Sequence, residues 1–304
     1  MFLSPTAPEL RATFATDAAL DLQLTLAPLW RGSGDPTMRF EPSGAAWRSL
    51  HTPSGPATLR LARRNGAVVA DAWGAGAADA LAQVPDLVGL TDQPERLRPR
   101  DPIVAGLVRR FPGLRLTRTN RLFDALVPAI LEQKVTSTQA WRGYRGLVRA
   151  VSQPAPGPMR LWLPPLPADV AALPYFALHR FGVERRRAEL LRHVAGMAER
   201  LEAATPAEAA ARLLAVPGIG PWTVAEVTRL AHADPDAVSV GDYHLPSLVA
   251  WIFTGERRGD DARMLELLEP YRGQRGRVVR LLEVSGQHPP RHGPRLAPRR
   301  FEAM

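Results

Sequence analysis

Cysteine is absent from the 304 residues. This excludes disulfides, thiolate zinc sites, cysteine nucleophiles and cysteine-ligated iron–sulfur clusters on chemical grounds. Lysine is nearly absent: 38 of the 39 basic residues are Arg and only Lys134 is Lys. A Schiff-base mechanism therefore has one side-chain amine to draw on besides the chain's own amino terminus. No run of about 18 apolar residues occurs, and MFLSPTAPELRATF lacks the charged-then-apolar layout of a signal peptide. A cytoplasmic protein with no membrane partner is the expectation. No phosphate-binding nucleotide loop and no metal-ligand cluster is visible, so neither nucleotide hydrolysis nor a metal is expected.

What the chain does have is apolar content of 45%, a net charge of +9 and a pI near 11. The first suffices for one large or two ordinary domains. The second favours a polyanionic partner, because clustered arginines release counterions from phosphates.

Short, alternating segments dominate the first 75 residues. LDLQLTLAP (20–28), TMRFEP (37–42), AWRSLH (46–51), ATLRLA (57–62) and AVVADAW (67–73) are separated by SGDP, PSG and NG turn chemistry, which predicts an antiparallel sheet domain over 1–75. From residue 76 to 285 the period becomes helical, as in Leu122, Phe123, Leu126, Val127, Ile130 and Leu131, and again in Leu190, Leu191, Val194, Met197, Ala198 and Leu201. Pro128 predicts a kink in the first of these. A Pro-rich stretch over 153–169 reads as an extended crossover joining two helical lobes. Residues 286–304, with Arg291, Arg295, Arg299 and Arg300 among prolines, read as a disordered basic tail. The fold class expected is α+β, an antiparallel sheet followed by a two-lobed all-α core.

One short stretch stands out, AVPGIGPWTVAE at 215–226. Upstream, Thr205-Pro206-Ala207-Glu208 has the form of a capping box with Pro at the first helical position, so a helix should run from there to about Ala215. Pro217 and Gly218 stop it, Gly220 allows positive φ or close backbone approach, and Pro221 can open a second helix over about 222–232. Bare glycines next to a helix N-terminus let a phosphate rest on main-chain N–H groups, which grips a DNA backbone without reading bases. A lone Pro-Gly-x-Gly can also be only a tight turn.

Val216-Pro217-Gly218-Ile219-Gly220-Pro221-Trp222-Thr223, followed some twenty residues later by Val240-Gly241-Asp242-Tyr243, resembles the helix-hairpin-helix DNA glycosylase superfamily. Within it the chain resembles the bacterial alkylpurine (3-methyladenine II) glycosylases. The likeness extends through PGLRL (112–116), FDALVPAILEQKVT (123–136) and Gly182 to Glu189, and so covers about residues 100–285. An additional sheet domain before the helical lobes suits that branch. In the lyase-type members a lysine two residues after the last hairpin glycine forms the Schiff base; Trp222 stands there in this chain. The resemblance thus implies a monofunctional glycosylase that hydrolyses the N-glycosidic bond with water. The missing cysteines agree, because the endonuclease III and adenine-mismatch branches usually carry a four-cysteine cluster.

Asp242 matches the superfamily's catalytic aspartate, and it can also N-cap a helix beginning at Tyr243. The resemblance implies a base pocket that includes Trp222, Glu226 and Tyr243, with Trp222 either stacking on an extruded base or simply packing at a helix start. Glu226, one turn after Trp222, either faces the cavity or is exposed. By spacing, a further pocket aromatic of the family falls near Arg280. Tyr175, Phe176 and Trp141 could contribute from the other lobe or belong to the core. Pro217, Gly218, Ile219, Gly220, Thr223 and His244 are the expected DNA-backbone contacts, and Gln133 with Lys134 the expected wedge. The implied partners are duplex DNA with damaged bases and, downstream, an abasic-site endonuclease. The protein is expected to be a nucleoid-associated monomer needing no cofactor beyond a monovalent cation at the hairpin. A noncatalytic DNA-binding protein and a bifunctional glycosylase/lyase are the alternatives.

Overall fold

The computed structural model describes residues 7–16 and 19–290. The five strands β1 (Leu10–Ala15), β2 (Met38–Phe40), β3 (Ala46–Thr52), β4 (Gly55–Arg64) and β5 (Ala67–Trp73) form one antiparallel sheet in the order β1-β5-β4-β3-β2. Asn65 and Gly66, both at positive φ, turn β4 into β5, as the two-residue hairpin loop between right-twisted strands requires.

One expected strand is a helix. LDLQLTLAP carries leucines at every second position, yet it forms α1 (Leu22–Leu26), and Asp21 accepts the Leu24 N–H as its N-cap. The residues it buries, Leu22, Thr25 and Leu26, fall at helical spacing, so the alternation in the sequence satisfied two templates and the cap decided between them. The fifth strand is instead β1, from the stretch LRATFA, which pairs with β5 from Leu10↔Ala72 to Ala15↔Ala67.

The helices that follow are α2 (Ala77–Ala82), α3 (Val84–Leu87), α4 (Pro102–Arg110), α5 (Leu122–Glu132), α6 (Ser137–Val151), α7 (Pro167–Ala172), α8 (Arg185–Ala195) and α9 (Ala198–Glu202). After them come α10 (Pro206–Leu214), α11 (Pro221–Ala231), α12 (Leu245–Thr254), α13 (Asp261–Leu268) and α14 (Arg275–Val284). The apolar face running from Leu190 to Leu201 is split between α8 and α9 at Gly196 and Met197. Pro128 lies inside α5, where it withholds an N–H from the helix ladder.

Two apolar cores organise these elements. One runs without a break from the inner face of the sheet (Leu59, Leu61, Val68, Ala70) through α2 into α5, α6, α8 and α11. The boundary expected at 75/76 is therefore no break in packing. The other joins α4 (Val104, Leu107) to α12, α13 and α14 (Val249, Met264, Val278). The chain passes between the two cores at 91–96, at 115–121 and again at 232–237.

The Pro-rich stretch does not make that passage. Val148 before it and Val170 after it belong to the same core, and the segment instead lies over the outer face of the sheet. Ser49 Oγ donates to the Trp162 carbonyl at 2.5 Å, Thr58 Oγ1 donates to that of Pro156 at 2.6 Å, and Trp162 N–H donates to that of Pro36 at 2.8 Å. Leu161 is buried against Trp47 and Trp73, whose rings stack with centroids 5.1 Å apart. A segment rich in proline suits this role, since it has few N–H groups to leave unpaired beneath a sheet. The Arg291, Arg295, Arg299 and Arg300 assigned to a basic tail lie outside the described residues. Among the described residues no helix is long and apolar enough to cross a membrane.

Leu161→Ala is expected to destabilise the protein by about 2–4 kcal/mol through the cavity it leaves. Urea unfolding measures this, and a loss under about 1 kcal/mol would show that the segment is not packed on the sheet.

Candidate active site

The hairpin is built as its residues dictate. Thr205 and Glu208 form the reciprocal capping box that starts α10, with Pro206 at its first position. Gly218 stands at φ +101°, in the region that favours glycine, and Leu190 of α8 lies 3.3 Å from where a Cβ would be. Gly220 is different: its φ of −115° and ψ of −179° are extended backbone. The positive φ belongs to Gly218, and what Gly220 supplies is open space, with no protein atom within 4 Å of a Cβ built on it.

The expected backbone contacts divide into two groups. Pro217 and Gly218 are exposed and Gly220 is half-buried, and the N–H groups of the two glycines donate to no acceptor among the described residues. Ile219 and Thr223 are corrected. Ile219 is 6% exposed in the first core and its N–H donates to the Val216 carbonyl. Thr223 is 2% exposed, and its hydroxyl accepts from Gln133 Nε2 at 3.0 Å. The same Gln133 amide donates to the Gly218 carbonyl at 3.0 Å, so Gln133 is a strut from the end of α5 to the hairpin and not a free wedge. Lys134, the next residue, is exposed at φ +54° in the turn between α5 and α6.

Asp242 sits at the end of the loop from α11 to α12. Its Oδ1 accepts the N–H groups of His244 (2.7 Å) and Leu245 (2.8 Å), and its Oδ2 accepts the indole N–H of Trp222 at 3.0 Å. α12 begins at Leu245 with His244 at its N-cap position, so Asp242 is not the N-cap of a helix beginning at Tyr243. It accepts the N–H groups at the start of α12 from two residues before that position. Trp222 is half-buried at the start of α11. The indole thus ties the hairpin to the carboxylate, which is more than either stacking wall or helix-start packing.

The loop is restrained along its length. Asp236 accepts from Gly273 N–H and from Arg275; partial burial opposes ionisation, but the Arg275 guanidinium holds its carboxyl below the usual range. Gly241 N–H donates to Asp261 at 3.0 Å, and Asp242 N–H to the Ser239 carbonyl at 3.1 Å. Ser239 Oγ in turn donates to Glu226 at 2.5 Å. Glu226 is 13% exposed and also accepts two bonds from Arg229, at 2.6 and 3.0 Å. It is therefore engaged on both oxygens and is neither exposed nor free.

Tyr243 is 83% exposed and stands edge-on to the exposed His244. Arg280 of α14 bonds Glu283 and the Leu24 carbonyl, and burial lowers its pKa. Trp141 is half-buried with its ring over Gly32, Tyr175 is half-buried under Arg185, and Phe176 is 62% exposed. A small pocket between the cores is lined by Arg229, Arg280, Glu283 and Ser239, and by neither Trp222 nor Asp242.

The fold has counterparts among solved structures. A 3-methyladenine DNA glycosylase from Archaeoglobus fulgidus superposes with a TM-score of 0.76 at 17% identity over 89% of this chain and 97% of its own. MBOgg1, solved with a low-affinity DNA ligand, gives 0.73 at 14% identity over 93% and 97%. The Clostridium acetobutylicum 8-oxoguanine glycosylase/lyase gives 0.71 at 11% identity over 92% and 97%. The chain has the fold of the helix-hairpin-helix DNA glycosylases. No family model matches the sequence, and no curated protein sequence is detectably similar. In this glycosylase fold the hairpin, the aspartate loop and the α5–α6 turn meet around the first turns of α11.

The Gln133 strut had only a weak signal in the sequence, a polar residue closing an apolar helix; Ser239 and Asp261 had none, because only the folded loop brings Ser239 to Glu226 and Gly241 to Asp261 at the start of α13. Gln133→Ala is expected to cost about 1–2 kcal/mol, since it strips the buried Thr223 hydroxyl of its donor. Hydrogen exchange across 216–224 should quicken with it, and unchanged exchange there would show that the amide does not brace the hairpin.

Proposed function

We propose that the protein is a monofunctional DNA glycosylase of base excision repair. It bends damaged duplex DNA, extrudes an alkylated purine into the cleft between the two cores, and hydrolyses the N-glycosidic bond to leave an abasic site. A downstream abasic-site endonuclease then processes the product. The observation that carries the reading is Asp242, an aspartate whose two oxygens are fixed by Trp222, His244 and Leu245 and which the Trp222 indole ties to the glycine hairpin.

The chemistry follows from the charge that develops. As the base departs, C1′ gains oxocarbenium character, and a carboxylate held in one orientation stabilises it without reorganising at the moment of reaction. The same oxygen can orient or deprotonate the incoming water. A base that carries alkyl-derived positive charge leaves easily, so one carboxylate is sufficient. The free N–H groups of Gly218 and Gly220 and the N-terminus of α11 suit a phosphate of the damaged strand, and Lys134 in its turn suits the space an extruded base vacates, its stem in the stack and its ammonium at a phosphate.

The likeness to a glycosylase/lyase raises a second reading, in which an amine attacks C1′. It needs an amine beside Asp242; Trp222 occupies the hairpin position, and the one lysine, Lys134, lies beyond the Gln133 strut. Borohydride trapping on lesion-containing duplex should give no covalent adduct, and an adduct would favour the lyase.

Asp242→Asn keeps an amide oxygen for the His244 and Leu245 N–H groups, loses the acceptor of the Trp222 indole N–H and removes the charge. Release of methylated purines, followed by mass spectrometry, is expected to fall on the order of 10²–10³-fold or more while duplex binding persists. Release at the wild-type rate would leave only a DNA-binding protein.

A further inference from the structure

The surface formed by the short 3₁₀ helix Tyr175–Phe181 and the first turn of α8 carries rings and cations that neither the cores nor the candidate site uses. Phe176 is 62% exposed, and its ring meets that of Tyr175 edge-on with centroids 5.8 Å apart. The Arg185 guanidinium lies over the Tyr175 ring at 4.8 Å, and that of Arg180 over the Phe181 ring at 4.6 Å. Arg180, Arg185 and Arg186 are all exposed. Glu189 takes Arg185 at 2.7 Å, and Glu184 lies 3.4 Å from the buried Arg187. Arg180 and Arg186, by contrast, form no hydrogen bond or ion pair among the described residues.

An exposed ring by itself is ordinary. Here two neighbouring rings are already covered by guanidiniums, and the ring left uncovered is Phe176. A guanidinium stacked on a ring keeps its in-plane N–H groups for an anion. The patch is also continuous with the hairpin side of the molecule. Arg187, in the same turn of α8, donates Nη1 to the Leu131 carbonyl at 2.7 Å, three residues before Lys134, and Leu190, one turn on, packs against Gly218 of the hairpin. An open ring flanked by unspent cations offers stacking to a base and charge to its phosphates, without regard to sequence. In a paired duplex the base faces are hidden in the stack, so such a ring reaches them only where the strand is unpaired.

We propose that this face binds an unpaired DNA strand, with Phe176 stacking on a base and Arg180 and Arg186 holding the flanking phosphates. It adds a DNA contact to that of the hairpin and needs no bond cleavage, so it goes beyond the glycosylase reading and does not rest on it.

Fluorescence anisotropy tests it with a labelled oligothymidylate of about 15 nucleotides and a blunt duplex of the same length. Wild type is expected to bind the single strand, Phe176→Ala to weaken that binding about tenfold or more, and Phe176→Trp to retain it. Affinity for the blunt duplex is expected to stay within about threefold in Phe176→Ala, since no base face is open to the ring. The double variant Arg180→Gln/Arg186→Gln is expected to lower the slope of log K against log salt for the single strand by about 1.4. Unchanged single-strand affinity in Phe176→Ala overturns the proposal, as does an equal loss for the duplex. A Phe176 dependence seen with polyglutamate and not with the oligonucleotide overturns it too, and would make the patch a site for an acidic protein segment. Single-strand binding through Phe176 by a protein that frees no purine would sink the glycosylase reading and leave this one standing; purine release without that binding would do the reverse.

Discussion

The Asp242 carboxylate is held from two sides, by the indole of Trp222 on α11 and by the first amides of α12, and much of the surrounding architecture serves to keep those two helix starts together. Were the carboxylate only a cap, one oxygen would suffice. Its second oxygen makes the hairpin and the aspartate loop one unit, so any group that docked on Gly218 and Gly220 would keep a fixed position relative to the charge. Hydrogen bonds to charged groups, at about 1.5–3 kcal/mol each, are strong enough to hold that geometry against loop motion. The bonds of Asp236, Gly241 and Ser239 repeat the logic along the loop: each anchors it to a different helix.

Behind the site, the sheet supplies rigidity rather than chemistry. Its inner face shares a core with α5, α8 and α11, and those helices carry the strut, the packing partner of Gly218 and the hairpin. The Pro-rich segment covers the opposite face, which would otherwise leave Trp47 and Trp73 in water. An apolar core continuous from sheet to hairpin gives α11 the fixed reference that a preorganised carboxylate needs.

How much of this was legible in the sequence depended on the range of the interactions. Local chemistry read well: the capping box at Thr205, Pro221 at the start of α11, the Asn65-Gly66 turn and four of the strands follow from neighbours a few residues apart. Readings failed where two templates fitted one pattern, as in the leucine alternation that became α1, and where a side chain's partner lay far along the chain. Gln133 looked like a wedge because its bonds to Gly218 and Thr223 span 85 and 90 residues. Tyr243 reads as a pocket wall because its neighbour is the aspartate, and its exposure of 83% is set by the turn between Asp242 and α12, which no local pattern announces. Glu226 followed Trp222 by one turn as expected, but only the fold brings Ser239 to it.

The account turns on a negative charge held where a sugar cation forms. Duplexes carrying a pyrrolidine abasic analogue, protonated at neutral pH, and the neutral tetrahydrofuran analogue differ in that charge and in the ring heteroatom but keep the ring size. Equilibrium binding of the two measures it directly. The account predicts that the protein binds the pyrrolidine duplex about 10²-fold or more tightly than the tetrahydrofuran duplex, in the range of transition-state mimics, and that Asp242→Asn removes most of the difference. Equal affinities in the wild-type protein would contradict it.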